Sequence, residues 1–333
     1  MLQERLVNIV RRFSERKLLI VGDSIADKFL YGSISRVSRE APVFILRHEL
    51  TETVPGGAAN CALNLAAFGA NVSLVSIAGI DEAGLALREK LATAGVNVDG
   101  LLLSDKIQTT TKVRILAGHA HANRQQVIRV DYEDAPLKDS ALRKALNNSL
   151  RTSLAHADAV IISDYNYGVV DADATELVRE THQTRRVPVL VDSRFRLSDF
   201  SGFTAATPNE DEVEHLIGEP VDSTTKLETS ATRVKQELRY QALLVTRGRR
   251  GMMLLADNEI PLHIPAVGAE QAVDGTGAGD TVIATFALAL ASDSSFAEAA
   301  QLANHAGGLV VMKRGTASVS ATELEASIND LRT

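Results

Sequence analysis

The chain has 333 residues, 45% of them hydrophobic and 23% charged, and carries a net charge of −7 at pH 7. Such a chain can bury a substantial core as one large α/β domain or two smaller ones, and its acidic balance, with no basic run, argues against a nucleic-acid partner. A single cysteine, Cys61, excludes an internal disulfide framework, and no segment approaches the ~20 apolar residues of a membrane span, so a soluble, cytoplasmic protein is expected.

Leu2, Leu6, Val10 and Phe13 recur at helical spacing, and the charges of Glu4, Arg11 and Arg12 make this a short amphipathic helix rather than a secretory signal. Residues 17–21 predict a buried strand ending in the Gly22-Asp23 turn. From 29 to 53 apolar and polar residues mix as in strands covered on one face. Gly56-Gly57 then opens a helix over 58–69, in which Cys61 is a small core residue. A buried strand at 72–78 and a helix at 82–94, stopped by Gly95, come next. Residues 109–116 and 126–132 alternate like a hairpin around the polar tip 118–124. His119 and His121 lie in that tip with no carboxylate or cysteine at ligand spacing, so metal binding there is not expected.

Beyond Tyr132 helices alternate with strands. Helices are predicted at 140–154, 174–182, 211–217 and 224–238, and strands at 159–162, 188–191 and 242–245. A hairpin, 252–255 with 260–264, precedes two closing helices, 278–291 and 296–312. This rhythm predicts a mostly parallel sheet between helical layers. The whole chain, 1–333, then reads as one domain carrying a small inserted sheet at about 29–54 and 106–132. Ligands of such sheets gather beyond the carboxyl ends of the strands, where Asp23, Asp164, Asp192, Asn209 and Thr246 fall.

The densest chemistry is Asp274-Gly-Thr-Gly-Ala-Gly-Asp280-Thr281, followed at once by an apolar helix. Gly277, Ala278 and Gly279 would present backbone N–H groups at the positive end of that helix, an anion site. A carboxylate there opposes phosphate binding unless its task is to take a proton from an attacking hydroxyl, which makes Asp280 the candidate general base. Asn209 and Glu212, one turn apart at a helix start, suit Mg²⁺ and its waters, and Asn209 also suits an N-cap.

Two distant signatures carry a resemblance. Pro55-Gly56-Gly57-Ala58-Ala59-Asn60 and Asp274–Thr281 resemble the N- and C-terminal signatures of the ribokinase-like (PfkB) carbohydrate kinases. Thr207-Pro-Asn209-Glu-Asp-Glu212 and Val245-Thr246-Arg247-Gly248 resemble elements lying between them, so the likeness spans the chain. Several stretches further resemble the heptose 7-phosphate kinases of that family: Gly22–Asp27, Arg36–Val43, Thr111–Arg114, Gln125–Asp131 and Ser163–Tyr165. Three departures stand out. Asn166-Tyr167-Gly168 follows Asp164-Tyr165 where those kinases have x-Lys-Gly. Asp192-Ser193-Arg194 replaces Asp-Pro-Lys, and Gly275 stands where Val or Thr is usual.

The resemblance implies a ribokinase-like three-layer α/β/α fold with a β-sheet lid and transfer of the γ-phosphoryl of ATP to a sugar hydroxyl. It implies Asp280 as base, with the Gly277, Ala278 and Gly279 amides as anion hole. Asp27 and Asn60, with Gly56 and Gly57, would meet the sugar; Asp23 would do the same or only form its turn. Lys112, Arg114 and Arg129 are candidates for a sugar phosphate, being also readable as a solvated sheet face, and Asp164 is a further candidate for binding the substrate. Thr246, Gly248 and Asn304 would lie along ATP, Asn209 and Glu212 beside Mg²⁺, and Asp274 and Thr276 beside K⁺. The chain ends soon after the kinase portion and so resembles a stand-alone form, and its lid sheets are expected to pair two copies as a homodimer. A kinase of another sugar and a non-catalytic sugar- or nucleotide-binding regulator are the competing expectations.

Overall fold

The computed structural model describes residues 2–118, 124–134, 136–257, 259–268, 273–313 and 315–330. Helix α1 (Leu2–Arg11) leads into strand β1 (Lys17–Gly22), and Asp23 alone separates β1 from β2 (Ser24–Val37), which returns as β3 (Phe44–Gly57). Then come α2 (Ala58–Ala67), β4 (Asn71–Gly79), α3 (Glu82–Thr93), β5 (Leu101–Ser104), β6 (Thr111–Gly118) and β7 (Gln125–Tyr132). The next run is α4 (Ser140–Leu154), β8 (Ala159–Asp164), α5 (Ala172–Arg185), β9 (Val189–Ser193), β10 (Ala205–Ala206), α6 (Glu210–Ile217) and α7 (Thr224–Glu237). Last come β11 (Ala242–Thr246), β12 (Met252–Ala256), β13 (Leu262–Ile264), α8 (Ala278–Ala291), α9 (Phe296–Val310) and α10 (Ala321–Asp330).

Nine strands form the central sheet in the order β13-β12-β11-β10-β9-β8-β1-β4-β5, parallel except at the β11–β12–β13 edge. Its strands are apolar runs because both faces are covered. Leu18 and Ile20 face the layer built from α1, α2, α8, α9 and α10, whereas Leu19 and Val21 face α4, α5, α6 and α7. This is the two-residue period of a strand placing neighbours on opposite faces. Side-chain caps start the helices where short polar residues occur: Asp81, Asp139, Asp171 and Ser223 each accept an N–H of the first turn.

The second sheet has the order β3-β2-β6-β7, with β2 parallel to β6 and the outer pairs antiparallel. Because β1 runs almost directly into β2, this sheet grows from the carboxyl edge of the central one. Its outer strand β7 is exposed along its whole length. The architecture is three-layer α/β/α with a smaller separate sheet, as the alternation of elements implies.

Several boundaries differ from the sequence reading. A third closing helix, α10, follows α9 and buries Leu324 and Ile328 against the α1 side of the core. The short strands β5 and β10 were not expected. They are fixed by neighbours in the sheet, β10 pairing Ala205 with Leu190 and Ala242. Strand β13 starts at Leu262 rather than at 260. Phe13 is buried but lies beyond the end of α1. His119 and His121 lie outside the described residues.

Candidate active site

The start of α8 sets the geometry. Gly277 has φ +76°, a left-handed conformation that favours glycine, and a Cβ on it would meet Asn60 Nδ2 at 2.5 Å. A Cβ on Gly275 or Gly279 would meet nothing within 4 Å, so the backbone of both borders open space. No side chain caps this helix, and its first N–H groups remain for a ligand. The Ala278 N–H instead reaches back to the Gly275 carbonyl at 3.3 Å. Of the three amides expected to form an anion hole, that of Ala278 is thus turned to the backbone of its own loop.

Asp280, in the first turn, is 5% exposed. Its Oδ2 accepts the Asn60 amide at 2.7 Å and its Oδ1 accepts the Tyr165 hydroxyl at 3.2 Å. Burial pushes its pKa up to about 7, against the two hydrogen bonds and with help from the Asp27 charge. The orientation of Asn60 is itself fixed. Asn64 Nδ2 donates to the Asn60 carbonyl at 2.9 Å and to its Oδ1 at 3.3 Å, leaving the Asn60 NH₂ to face Asp280. Thr281 Oγ1 donates to Asn64 Oδ1 at 2.9 Å, so one buried network locks α2 to α8.

Asp280 faces a cavity of about 370 Å³ between the carboxyl edge of the central sheet and the second sheet. From β2 and β6 come Asp27, Lys112 and Arg114, and from β7 Arg129. Arg114 donates to Asp27 Oδ1 through Nε at 3.2 Å and Nη2 at 2.8 Å. Burial raises the pKa of Asp27, and the Arg114 charge opposes this. Gly56 lets β3 approach this carboxylate, since a Cβ there would lie 2.3 Å from Asp27 Oδ2. Lys112 lies 3.7 Å from Glu133 and 5.9 Å from the Tyr167 ring centroid, while Arg129 pairs with Asp131 on its own strand at 2.8 Å.

On the opposite wall stand Asn209, Glu212, Thr246 and Thr276. Asn209 and Glu212 form a reciprocal capping box on α6: Asn209 Oδ1 accepts the Glu212 N–H at 2.8 Å, and Glu212 Oε2 accepts the Asn209 N–H at 2.9 Å. Glu212 lines the cavity as well, and burial raises its pKa. Asp192 and Arg194, at the end of β9, also line the space. Burial, with the Glu212, Asp280 and Asp164 charges, pushes Asp192 far above the usual carboxylate range.

A second cavity of about 440 Å³ shares Thr246, Gly275 and Gly279 with the first. It is mainly apolar, walled by Met252, Val267, Val282 and Val311, and carries Gly248, Ala278 and Asn304. Asn304 is oriented by donating to the Pro265 carbonyl at 2.8 Å.

Three sequence expectations change: the sugar contacts of Asp23 and Asn60 and the substrate contact of Asp164. Asp23 does not reach the main cavity: its Oδ2 accepts the N–H of Tyr165 at 2.8 Å and of Tyr167 at 3.1 Å, and its Oδ1 that of Val169 at 3.1 Å. Burial nevertheless raises its pKa to about 6. Asp164 lines the cavity, but its carboxylate is taken up by Arg196 and by Ser193 Oγ at 2.7 Å. Asn60 is turned to Asp280 rather than to the cavity. Asp274 is turned to the N–H groups of Thr276 at 2.9 Å and Gly315 at 3.0 Å; these hold its pKa below the usual range although burial acts the other way. Tyr165 and Asn64 were missed, because their partners lie 115 and 217 positions away in the chain and no local spacing reports such pairs.

Comparison with known proteins follows the same lines. A family model described as pfkB family carbohydrate kinase matches residues 17–323. The bifunctional protein HldE of Nitrosococcus oceani is 40% identical over 322 residues, which cover 95% of this chain and 65% of that protein. The chain thus spans about two thirds of the length of such curated relatives. Among solved structures, Arabidopsis thaliana ribokinase complexed with ribose and ATP superposes with a TM-score of 0.71 at 21% identity, covering 95% of this chain and 98% of that one. Escherichia coli phosphofructokinase-2 in complex with potassium gives 0.75 at 17% identity, with 96% and 99% covered.

Proposed function

The chain belongs to the pfkB family of carbohydrate kinases, phosphotransferases acting on a sugar hydroxyl, and we propose that its acceptor is D-glycero-D-manno-heptose 7-phosphate and its donor ATP. The observation that carries the reading is a buried carboxylate, Asp280, at an uncapped glycine-rich helix start, facing a cavity that Lys112, Arg114 and Arg129 also line. Such cations suit an acceptor that already carries a phosphate. The heptose motifs and the 40% identity to HldE support the same acceptor class.

In this reading Asp27 accepts a sugar hydroxyl, Asp280 takes the proton of the attacking hydroxyl, and the Gly277 and Gly279 amides hold the charge that develops on the transferred group. The chain supplies position and electrostatics, which is what phosphoryl transfer demands. The apolar cavity with Asn304 suits a base, and Gly248, Gly275 and Gly279 leave room where side chains would obstruct a polyphosphate. Mg²⁺ would add charge neutralisation on the phosphates. Asn209 and Glu212 fit it through water, since Mg²⁺ takes few protein ligands and keeps several of its waters. For K⁺, the Asp274 turn offers its carboxylate, and the nearby Thr316 Oγ1 is buried without a protein partner.

Tyr167 replaces a lysine of the heptose kinases and is committed elsewhere: its hydroxyl bonds Glu133, and Lys112 of β6 lies over its ring. A cation therefore still reaches the main cavity, from the second sheet. Tyr167 and Arg194 are also the specific grounds for a second reading, a kinase of another sugar or sugar phosphate. The second sheet we take as a lid inserted into a single kinase domain, and its exposed face as the contact between two copies.

ATP-dependent ADP release with Mg²⁺ and K⁺ tests this across heptose 7-phosphate, fructose phosphates, ribose and fructose. Turnover confined to heptose 7-phosphate, and lowered about 10²–10⁴-fold by Asp280→Asn, is the expected result. Turnover on another sugar alone overturns the heptose assignment and leaves the kinase.

A further inference from the structure

Tyr165 sits in a loop that the protein holds at three points. The Asp23 carboxylate grips the backbone N–H of Tyr165, Tyr167 and Val169. Asn166 takes a left-handed φ of 66° and Gly168 one of 92°, where a Cβ would lie 2.7 Å from the Leu137 nitrogen. Gly57, with φ +58°, gives the loop its seat: a Cβ there would approach the Asp23 carbonyl to 2.6 Å and the Tyr165 ring to 3.2 Å. A buried carboxylate, two left-handed residues and a glycine seat all serve to place one phenol. That phenol donates to Asp280 Oδ1 at 3.2 Å, opposite the Asn60 amide on Oδ2.

We propose that Tyr165 is a positioning residue for the general base: its hydroxyl, held in place by Asp23 and Gly57, fixes the rotation of the Asp280 carboxylate and favours its ionised form. The inference rests on the reading of Asp280 as base. An O–H donor stabilises the carboxylate over the carboxylic acid, so its removal must make Asp280 hold its proton to higher pH. Without such donors, a carboxylate buried at this depth stays protonated at neutral pH and cannot accept a proton from a hydroxyl. The other groups facing Asp280 are Asp27 of β2, Asp192 of β9 and Cys61 of α2, with Arg194 acting on Tyr165. The Asp27 charge raises the proton affinity of Asp280, which leaves Asn60 and Tyr165 as the two groups bonded directly to it that oppose this. The arrangement also accounts for Asp23, which the sequence places at a strand end but which touches no part of the main cavity.

The test is a pH titration of the Asp280 carboxylate carbon by NMR in the full chain, assigned by its disappearance in Asp280→Asn. It needs no substrate and so stands apart from the choice of acceptor. Tyr165→Phe, which keeps the ring, is expected to move the titration upward by about half to one pH unit. The acid limb of the kcat/KM profile should move with it, with KM for ATP unchanged within about twofold. A 3-fluorotyrosine at 165, a stronger donor, should move both downward, a sign that mere loosening of the loop would not produce. An unmoved titration in both variants overturns the proposal. Retention of full activity by Asp280→Asn would instead overturn the reading of Asp280 as base, so the two failures are told apart.

Discussion

The two sheets solve the problem of burial in opposite ways. Every residue of β12, and all of β1 but Lys17, is buried, whereas every residue of β7 is exposed. The central sheet is sandwiched between helices and holds the parts that must not move: the α8 glycine turn, Asp280, and the Asn60–Asn64–Thr281 network. The second sheet has one covered face, and what it brings to the site is charge: Asp27, Lys112, Arg114 and Arg129. On the proposed function, chemistry is rooted in the rigid layer, and acceptor recognition in the layer that has least to hold it.

The sharpest way to test that division is to cut into the layer under the base. Phe286 lies in α8, fully buried, with its ring centroid 6.4 Å from that of Phe296 in α9. Phe286→Ala removes a large side chain from a packed interior, where loss of transfer free energy and a residual cavity together cost about 3–5 kcal/mol. Denaturant unfolding should read this as a lowered midpoint with an unchanged slope. A loss below about 1 kcal/mol would mean that the helical layer is as loosely packed as the second sheet.

A smaller effect is expected from the charge that layer conceals. Asp280 titrates near 7 in the folded chain, against an ordinary aspartate value when unfolded, so between those values the folded state binds the extra proton. Stability then falls as pH rises through this window, because the unfolded state holds fewer protons than the native one. Asp23, raised to about 6, acts with the same sign over the lower part of the range. Asp280→Asn should remove its share of the slope, gaining on the order of 1–3 kcal/mol relative to the parent between pH 5 and pH 8. Parallel pH curves for parent and mutant would show that burial does not tax this carboxylate. The trade is physical: the site keeps a carboxylate where an amide would be more stable.

How much of this the sequence disclosed depends on whether the cause was local. The helix at 278–291 matches α8, because a glycine turn followed by an uninterrupted apolar run leaves little choice. The alternation beyond Tyr132 implied the parallel sheet for the same reason. The signal failed where partners are remote. Strand β10 has two residues and exists only because β9 and β11 flank it. Asp23 and Asp164 look like ligands from their place at strand ends, yet Asp23 is consumed by loop N–H groups and Asp164 by Arg196 and Ser193. Helix α10 has a weak pattern of its own and is held by Leu324 and Ile328 against the core.

The smallest effect on the isolated fold belongs to the lid face. Phe44 is 60% exposed at the start of β3, and Val37, its partner across the β2–β3 ladder, is 57% exposed. Truncating such a side chain removes little burial, so Phe44→Ala should change unfolding free energy by no more than about 0.5 kcal/mol. If two copies cover this face, the same change deletes apolar area from a contact between them, and sedimentation should show dimer dissociation at protein concentrations where the parent remains dimeric. The substitution therefore separates two properties that a buried site such as Phe286 would confound, monomer stability and association. A parent chain that sediments as a monomer at micromolar concentration would end the dimer proposal.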